Sequence, residues 1–239
     1  MALQPWQKAT VVGIHFETPD TKRFKIKADA LPVFDFVPGQ FVTLDLPIDD
    51  KPNKRWRSYS IASWPDGTNE FELLIVLNPN GKGTPYLFND IVLGSEITFR
   101  GPQGVFTLHP PIDKDLYLVC TGTGIAPFRS MVQHIHHQQL SYKNIYLIYG
   151  CRKKDNLLYY EELTALQKTM PHFHYIPTLS REEWEGKSGY VHDVYEELCE
   201  HPAPASFYLC GWRFMLDEAK ERILKMGYDK KDIHQEIYG

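Results

Sequence analysis

The sequence predicts two domains: an antiparallel β-barrel, followed by an α/β domain with a doubly wound parallel sheet. The first observation is a series of short period-two segments, separated by turn-rich stretches such as VPGQ and NPNGKGTP. The second is a change near HPPID, after which strand-like and helix-like segments alternate. The third is the length of 239 residues, which is enough for two hydrophobic cores. We predict domains at residues 1–111 and 112–239.

The first domain contains six segments with the alternation of half-buried strands. They are TVVGIHFE, KRFKIKA, QFVTLDL, RSYSIAS, EFELLIVL and EITFR. One piece, TPYLFND, has a helical pattern. Six short strands with few helices between them favour a small antiparallel barrel, which this helix would cap at one end.

The second domain alternates five strands with helices. The predicted strands are DLYLVC, NIYLIYG, FHYIPTL, SFYLCG and IHQEIY, and a helical pattern follows each of the first four. Repeated βα units imply a parallel sheet with helices on both faces. Gly227 falls where the C-terminal cap of the last helix is expected.

Composition excludes several classes of protein. The chain is 43% hydrophobic and carries a net charge of −4, which is unlike a general nucleic-acid binder. It has neither an apolar run near the ~20 residues of a membrane span nor a secretory signal. The four cysteines lack the spacing of a metal site. We interpret His134, His136 and His137 as solvated side chains on a helix, and we predict a cytoplasmic protein without a metal.

The stretch LVCTGTGIAPFRSM suggests a phosphate site. It runs from a strand through Gly122, Thr123 and Gly124 into a helix, with Pro127 in the first turn. Glycines permit a close ligand approach, and a helix N-terminus attracts phosphate. The pattern lacks the third glycine of the usual dinucleotide fingerprint, so by itself it leaves a ligand-free tight turn open.

Seven motifs together resemble the ferredoxin–NADP⁺ reductase superfamily. They are RSYS, GKGTPYL, GPQGVF, GTGIAP, YGCR, CGWRFM and the final EIY, in the order of that family and over nearly the whole chain. The family combines an FAD-binding antiparallel barrel with a nicotinamide-nucleotide domain. The resemblance implies a flavoenzyme that transfers hydride between NADPH and flavin N5, then exchanges single electrons with a separate carrier.

The resemblance also implies how FAD is held. Arg57 would reach the pyrophosphate, Tyr59 would pack on the isoalloxazine, and Ser60 would form a hydrogen bond near flavin N5. A guanidinium suits a dianionic pyrophosphate, and a flat ring suits an aromatic wall. GKGTPYL resembles a second FAD phosphate motif, which comprises Gly81, Gly83 and Thr84.

The C-terminal motifs imply the reacting centre. In plant-type members a cysteine, an acid and a terminal aromatic surround the nicotinamide and the flavin. Cys210 and Gly211 would seat the nicotinamide, and Tyr238 would cover the flavin face. Gly239 follows Tyr238 here, so the terminal carboxylate is displaced from the tyrosine. The implied catalytic residues are Ser60, Cys210, Glu236 and Tyr238.

The adenosine end of the nucleotide determines which coenzyme is used. Plant-type enzymes have a Ser-Arg pair followed by a lysine and a tyrosine, and TLSREEWEGKSGY resembles that arrangement. Cations suit the 2′-phosphate of NADPH. We therefore predict NADPH, although three glutamates nearby add opposing charge. The implied residues are Ser180, Arg181, Lys187 and Tyr190, with Arg152 of YGCR as a further candidate.

A separate ferredoxin or flavodoxin is the expected electron carrier, because the chain has no cluster-binding cysteine run. Lys51, Lys54 and Arg55 would supply part of a basic rim for an acidic carrier, or form an ordinary solvated loop. One alternative is the NADH- or NADPH-dependent reductase component of an oxygenase system. Another is a flavin-binding regulatory subunit with an idle nicotinamide site. Neither nucleic acid nor membrane is an expected partner, and the sequence does not predict the oligomeric state.

Overall fold

The computed structural model describes residues 4–199 and 203–238. The chain divides into two compact units after Thr107, except that Ala126–His137 group with the first unit. The predicted boundary after residue 111 lies in the connection between the last strand of the first unit and the first strand of the second. The described residues form two six-stranded sheets, one antiparallel and one parallel. This arrangement confirms the predicted fold class.

The first unit contains the six predicted strands. They are β1 (Gln7–Thr18), β2 (Thr21–Ala28), β3 (Phe41–Asp45), β4 (Trp56–Ser60), β5 (Glu70–Val76) and β6 (Glu96–Gln103), in the spatial order β4-β3-β6-β1-β2-β5. An antiparallel bridge between Ile61 and Leu73 joins the chain after β4 to β5, which brings the two ends of the sheet together. Between these strands lie the helices α1 (Pro52–Arg55), which the sequence pattern did not predict, and α2 (Gly83–Asn89).

Period-two burial and aromatic packing build the barrel core. On β2, Phe24, Ile26 and Ala28 are buried and alternate with exposed Lys25 and Lys27. Phe34, Phe71 and Phe99 form a cluster in which the ring centroids are 4.7 to 5.6 Å apart. Such tilted and edge-on pairs add to the gain from burying apolar area.

Helix α3 (Ile125–His137) is held in the first unit by a buried cation. The guanidinium of Arg129 donates to the Ala62 carbonyl at 2.9 Å and to Glu72 Oε2 at 2.7 Å. Phe128 packs on Phe106 with a centroid distance of 5.8 Å. These long-range contacts explain why this helix groups with the barrel.

The second unit has a fully parallel sheet. Its strands are β7 (Asp115–Thr121), β8 (Ile145–Cys151), β9 (Phe173–Leu179), β10 (Lys187–Ser188), β11 (Ala205–Gly211) and β12 (Ile233–Ile237), in the spatial order β10-β9-β8-β7-β11-β12. Its helices are α4 (Tyr160–Thr169), α5 (Val191–Leu198) and α6 (Arg213–Lys225). Side chains of α5 and α6 cover one face, where they pack on Val119, Phe207 and Leu209. None of the helices among the described residues has the length and apolar character needed to cross a bilayer.

The strand order creates a switch point between β7 and β11. From β7 the chain builds outward through β8 and β9 on one side, and later through β11 and β12 on the other. Ligands of doubly wound sheets bind beyond the carboxyl ends of the strands at such a point. The fold therefore places Thr121 and Gly211, which end β7 and β11, at the expected ligand site.

Helix α6 ends in the predicted glycine cap. Gly227 has a φ of +92°, its N–H donates to the Leu224 carbonyl at 3.0 Å, and the Tyr228 N–H donates to the Ile223 carbonyl at 3.4 Å. This pair of bonds is the Schellman motif, which a residue without a Cβ adopts at low cost. The cap directs the chain into β12.

Candidate functional site

In the first unit, the structure brings the two motifs predicted to bind FAD into contact. Arg57, Tyr59 and Ser60 lie on β4, and Gly83 begins α2. A Cβ built on Gly83 would lie 3.1 Å from Cγ and from Nε of Arg57. The start of α2 therefore lies against the Arg57 side chain. We call Arg57, Tyr59, Ser60, Gly81, Gly83 and Thr84 the β4–α2 cradle.

Arg57 gives the cradle a fixed cation. One of its terminal nitrogens donates to the carbonyl of Lys54 at 3.0 Å and to that of Trp56 at 2.7 Å. In the described part of the chain, Arg57 forms no ion pair. Because a guanidinium has five N–H donors, several remain for an anionic ligand. The side chain is thus oriented by carbonyls and suited to a phosphate.

Tyr59 gives the cradle a neutral ring. Burial raises the pKa of Tyr59 to about 12, and the neighbouring charge of Arg57 opposes that rise. The phenol therefore stays uncharged at neutral pH, as an apolar ring partner requires. Ser60, the next residue, is buried at the end of β4.

Thr84 shapes the loop of the cradle. Its Oγ1 accepts from the Asn78 N–H at 2.8 Å and donates to the Asn78 carbonyl at 3.2 Å. These bonds close the loop that contains Gly81. That Gly81 and Thr84 contact the FAD phosphates directly stays a prediction.

In the second unit, the glycine turn lies directly on β11. Gly122, Thr123 and Gly124 form a 3₁₀ turn between β7 and α3, and Pro127 lies in the first turn of that helix. A Cβ built on Gly124 would lie 2.5 Å from the Cys210 carbonyl oxygen. Only glycine permits this approach. The glycine at this position is therefore required by packing.

Thr121 is a candidate that the sequence interpretation missed. Its Oγ1 is buried and has no hydrogen-bond partner among the residues that the structure describes. A Cβ on Gly211 would lie 2.6 Å from this oxygen, so the hydroxyl faces the end of β11. Buried hydroxyls are normally satisfied, so a ligand at the switch point would supply the missing partner. The TGTG motif alone does not indicate that the hydroxyl of its first threonine is buried without a partner.

Cys210, Gly211, Glu236 and Tyr238 come together at the ends of β11 and β12. Cys210 lies opposite Cys120 of β7 and Glu236 of β12, and the Tyr238 N–H donates to the Gly211 carbonyl at 2.9 Å. Burial, with Glu236 and Cys120, raises the pKa of the Cys210 thiol well above its usual value, and a hydrogen bond to Tyr238 opposes this. Cys210 therefore stays a neutral packing group at neutral pH.

The predicted 2′-phosphate residues lie at the ends of β8 and β9. The Ser180 N–H donates to the Cys151 carbonyl and the Arg181 N–H to the Arg152 carbonyl, both at 3.0 Å. Within residues 4–199 and 203–238, Arg181 forms no ion pair. Adjacent strands lie about 4.8 Å apart, so the row from β11 to β9 spans roughly 14 Å. The structure thus places Ser180, Arg181 and Arg152 together, along the same edge as the glycine turn.

Lys187 and Tyr190 differ from that group. Lys187 pairs in register with Thr178 of β9, but its Nζ is bound by both carboxylate oxygens of Glu197, at 2.6 and 2.8 Å. A phosphate would have to compete with this ion pair. Tyr190 is exposed at the start of α5.

Two of the three opposing glutamates are already bound. Glu182 accepts from the Lys154 N–H at 3.0 Å, and Glu185 pairs with the Lys154 ammonium at 2.9 Å. Their contacts with Lys154 reduce the electrostatic repulsion between these carboxylates and a phosphate beside Arg181.

The interpretation of the α3 histidines as solvated is wrong for His134. That side chain is half-buried, its Nδ1 has no hydrogen-bond partner in the described structure, and burial lowers its pKa. His137 is exposed but stacks on Trp64, with centroids 4.7 Å apart. Helical spacing alone did not reveal this packing.

All four cysteines are free. Burial raises the pKa of each thiol, to about 12 for Cys151. All four belong to the second unit.

Comparison with known proteins gives matches along most of the chain. The family described as Oxidoreductase FAD-binding domain matches residues 8–108, and Oxidoreductase NAD-binding domain matches residues 118–221. Ferredoxin–NADP reductase B of Sorangium cellulosum is 32% identical over 241 residues, with 97% of each chain covered. A solved ferredoxin NADP⁺ reductase from Neisseria gonorrhoeae with bound FAD and NADP has a TM-score of 0.82 at 25% identity, covering 97% of this chain and 98% of that chain.

A longer relative belongs to an oxygenase system. The anthranilate 1,2-dioxygenase electron transfer component of Acinetobacter baylyi is 31% identical over 216 residues. The match covers 89% of this chain but 61% of that relative, so the chain spans about three fifths of its length.

Proposed function

The chain belongs to the ferredoxin–NADP⁺ reductase superfamily, and on that premise we propose that it oxidises NADPH and supplies electrons to a separate ferredoxin or flavodoxin. Its FAD- and NAD-binding domains make it an electron-transfer oxidoreductase that uses FAD and a nicotinamide nucleotide.

The residues of the β4–α2 cradle fit FAD. Arg57 would neutralise pyrophosphate charge, and Tyr59 would offer an uncharged ring to the flavin. The proximity of Gly83 to Arg57 supports this assignment, because it brings helix N–H groups and a guanidinium to one place. Bound FAD would accept an electron pair from the reduced nicotinamide and release the electrons one at a time.

The switch point of the second unit fits a nicotinamide nucleotide. Gly124 lets the glycine turn lie against β11, and the unpartnered Thr121 hydroxyl would bind a polar group of the ligand. Cys210 would orient the ligand by packing, because its neutral thiol is a poor nucleophile at neutral pH. Glu236 and Ser60 would hold protons. Tyr238 would shield the bound nicotinamide from water.

Arg181 is the residue that most favours NADPH over NADH. Its guanidinium is exposed, forms no ion pair in the described residues, and follows Ser180 at the end of β9 beside Arg152. An extra phosphate would be attracted by the positive charges of these two arginines, whereas a bare ribose would gain little from them.

Anaerobic stopped-flow reduction of the FAD-loaded protein tests this. Flavin absorbance should bleach faster with NADPH than with NADH at matched concentration. Arg181→Leu should lower the apparent NADPH affinity by about 10- to 100-fold and change NADH little, because a charge-assisted hydrogen bond contributes about 1.5–3 kcal/mol. Lys168→Leu, which removes an exposed cation from the last turn of α4, is the matched control.

The other outcomes separate the alternatives. A preference for NADH would favour the reductase of an oxygenase system, the role named for the relative from Acinetobacter baylyi. Failure of both nucleotides to bleach bound flavin would favour the regulatory subunit.

The carrier is tested by adding ferredoxin or flavodoxin to the NADPH-reduced protein and following carrier reduction. Lys51, just before α1, and Lys54, within it, are both exposed. Arg55 forms an ion pair with Asp45 at 2.8 Å. Loss of both lysine charges should slow carrier reduction at low salt and leave flavin reduction unchanged. Unchanged carrier reduction would exclude this rim.

A further inference from the structure

A groove of about 520 Å³ lies on the first unit, away from the β4–α2 cradle. Its walls come from β1, β2, the end of α2 and the residues that follow this helix, including Ile14, Ile91 and Val92. Val92 and Leu93 in its lining are 60% and 69% exposed, and Phe16, whose ring lies beside the Lys22 ammonium, is 66% exposed. An apolar patch beside a cavity of this size is typical of a binding site.

Lys22 occupies an unusual position in this groove. It precedes Phe24 and Ile26 on the core-facing side of β2, and only 8% of the residue is exposed. Its Nζ donates to the Phe88 carbonyl at 2.9 Å and lies 4.9 and 4.7 Å from the rings of Phe16 and Phe88. Strand periodicity would place an apolar residue at this position.

The Lys22 ammonium has no acidic partner in the described chain. The described residues that line the groove include no aspartate or glutamate, and their polar side chains besides Lys22 are His15 and Asn89. One of the three ammonium donors is used by Phe88, and the two rings contribute a cation–π attraction. A buried charge without a counter-ion is costly, so the groove favours an anion.

We propose that this groove binds a carboxylate with an apolar body, such as a medium-chain fatty acid. The carboxylate would pair with Lys22, and the hydrocarbon would cover Ile14, Val92 and Leu93. A singly charged head matches the single buried ammonium, and the apolar walls exclude a small hydrophilic anion. The proposal does not depend on the NADPH-oxidising function.

The groove is separated from the proposed FAD phosphates by the length of α2. Gly83 begins that helix and Phe88 lies near its end, so the two sites are about 7.5 Å apart along the axis. The ligand can therefore be tested on the FAD-loaded full chain.

Isothermal titration with decanoate, below its micelle concentration, tests the site. We expect saturable binding of one decanoate per chain, and at least ~10-fold weaker binding of decan-1-ol, because the alcohol has the same body without the charge. Equal affinity for acid and alcohol, or binding that does not saturate, would overturn the proposal.

Variants separate the roles of the charge and of the walls. Lys22→Met should weaken decanoate binding at least ~10-fold and leave decan-1-ol unaffected. Lys27→Met is the matched control, since Lys27 is an exposed cation on the same strand, and its affinity should change less than about twofold. Val92→Glu, at an exposed rim position, should repel the acid and keeps the test decisive if Lys22→Met does not fold. Full decanoate affinity in Val92→Glu would also count against the site.

Discussion

Arg57 connects two motifs that are far apart in the sequence. Because Gly83 lies against its side chain and carbonyls hold one of its terminal nitrogens, Arg57→Met should leave the strand intact but remove the cation of the cradle. We expect FAD affinity to fall by about 10- to 100-fold, the value of a charge-assisted hydrogen bond. Fluorescence of released flavin during dilution measures it.

Lys54→Met is the control for this change. Lys54 is exposed and adjacent, and Arg57 donates to its backbone carbonyl, which the substitution keeps. FAD affinity should be unchanged. An equal loss in both variants would mean that general positive charge, and not Arg57 itself, holds the cofactor.

Gly124 tests the packing of the glycine turn. In Gly124→Ala the new methyl would lie 2.5 Å from the Cys210 carbonyl oxygen, so the turn or β11 must move. We expect a loss of about 1–3 kcal/mol in the free energy of unfolding and at least ~10-fold weaker nucleotide binding. Urea unfolding and titration with NADP⁺ measure the two effects.

Gly94→Ala separates the nucleotide effect from a general loss of stability. Gly94 has a φ of +86° with open space around it, so alanine there adds backbone strain without a clash. Stability should fall by about 1 kcal/mol, with normal nucleotide affinity. Normal affinity in Gly124→Ala as well would remove the turn from the site.

For individual residues of the site, the sequence predicted the residue types better than their burial and their partners. Arg57 and Gly83 belong to recognisable motifs, and their contact agrees with a shared role. Thr121 was missed because its importance rests on burial and a missing partner, which depend on the neighbouring strand. The ion pair of Lys187 with Glu197 was missed for the same reason.

Among the elements, α6 ends in a cap that depends on Gly227. Gly227→Ala places a Cβ on a residue with a φ of +92°, and this should cost about 1–2 kcal/mol in the free energy of unfolding. Gly227→Asn should cost less, because asparagine tolerates the left-handed region. Urea denaturation ranks the three chains. Equal stability of all three would show that the cap relaxes without cost.

Long, periodic elements were predictable, and short ones were not. FHYIPTL coincides with β9 and VHDVYEEL with α5, because apolar periodicity and length mark them. The two-residue strand β10 exists only through pairing with Thr178 and Leu179, so its own sequence contains no strand pattern. Helix α1 is only four residues long, too short for a helical period to appear.

For the whole molecule, histidines with a lowered pKa in the folded chain should set the acid limit of stability. Partial burial lowers the pKa of His134 and His234, and full burial lowers the pKa of His192. The unfolded chain therefore binds more protons than the folded chain just below pH 6.5, and stability falls as the pH falls through this range. Urea unfolding at pH 7.5 and 5.5 should show this loss.

His192→Gln should flatten that pH dependence. His192 is buried, and its Nδ1 lies 2.9 Å from the Tyr195 hydroxyl. The variant loses stability at neutral pH but removes one group that resists protonation. An undiminished difference between the two pH values would assign the effect to other groups.

The two-domain organisation was predictable from the change of pattern near HPPID, but the grouping of α3 was not. The sequence around APFRSM indicates a helix of the α/β domain. Its contacts with Ala62 and Glu72 depend on Arg129 meeting residues far away in the chain. Contacts of such long range leave no local periodicity to detect.

The raised pKa values of the four thiols have a practical consequence. The thiolate is the form that peroxide, disulfide reagents and alkylating agents attack, and the raised pKa of every cysteine keeps that form scarce. The cysteines of this oxidoreductase should therefore resist oxidation in the folded chain. Because all four cysteines lie in the second unit, a colorimetric disulfide reagent should react slowly with the native chain and rapidly once that unit opens. The rate of thiol modification then reports the rate at which the nucleotide-binding unit unfolds.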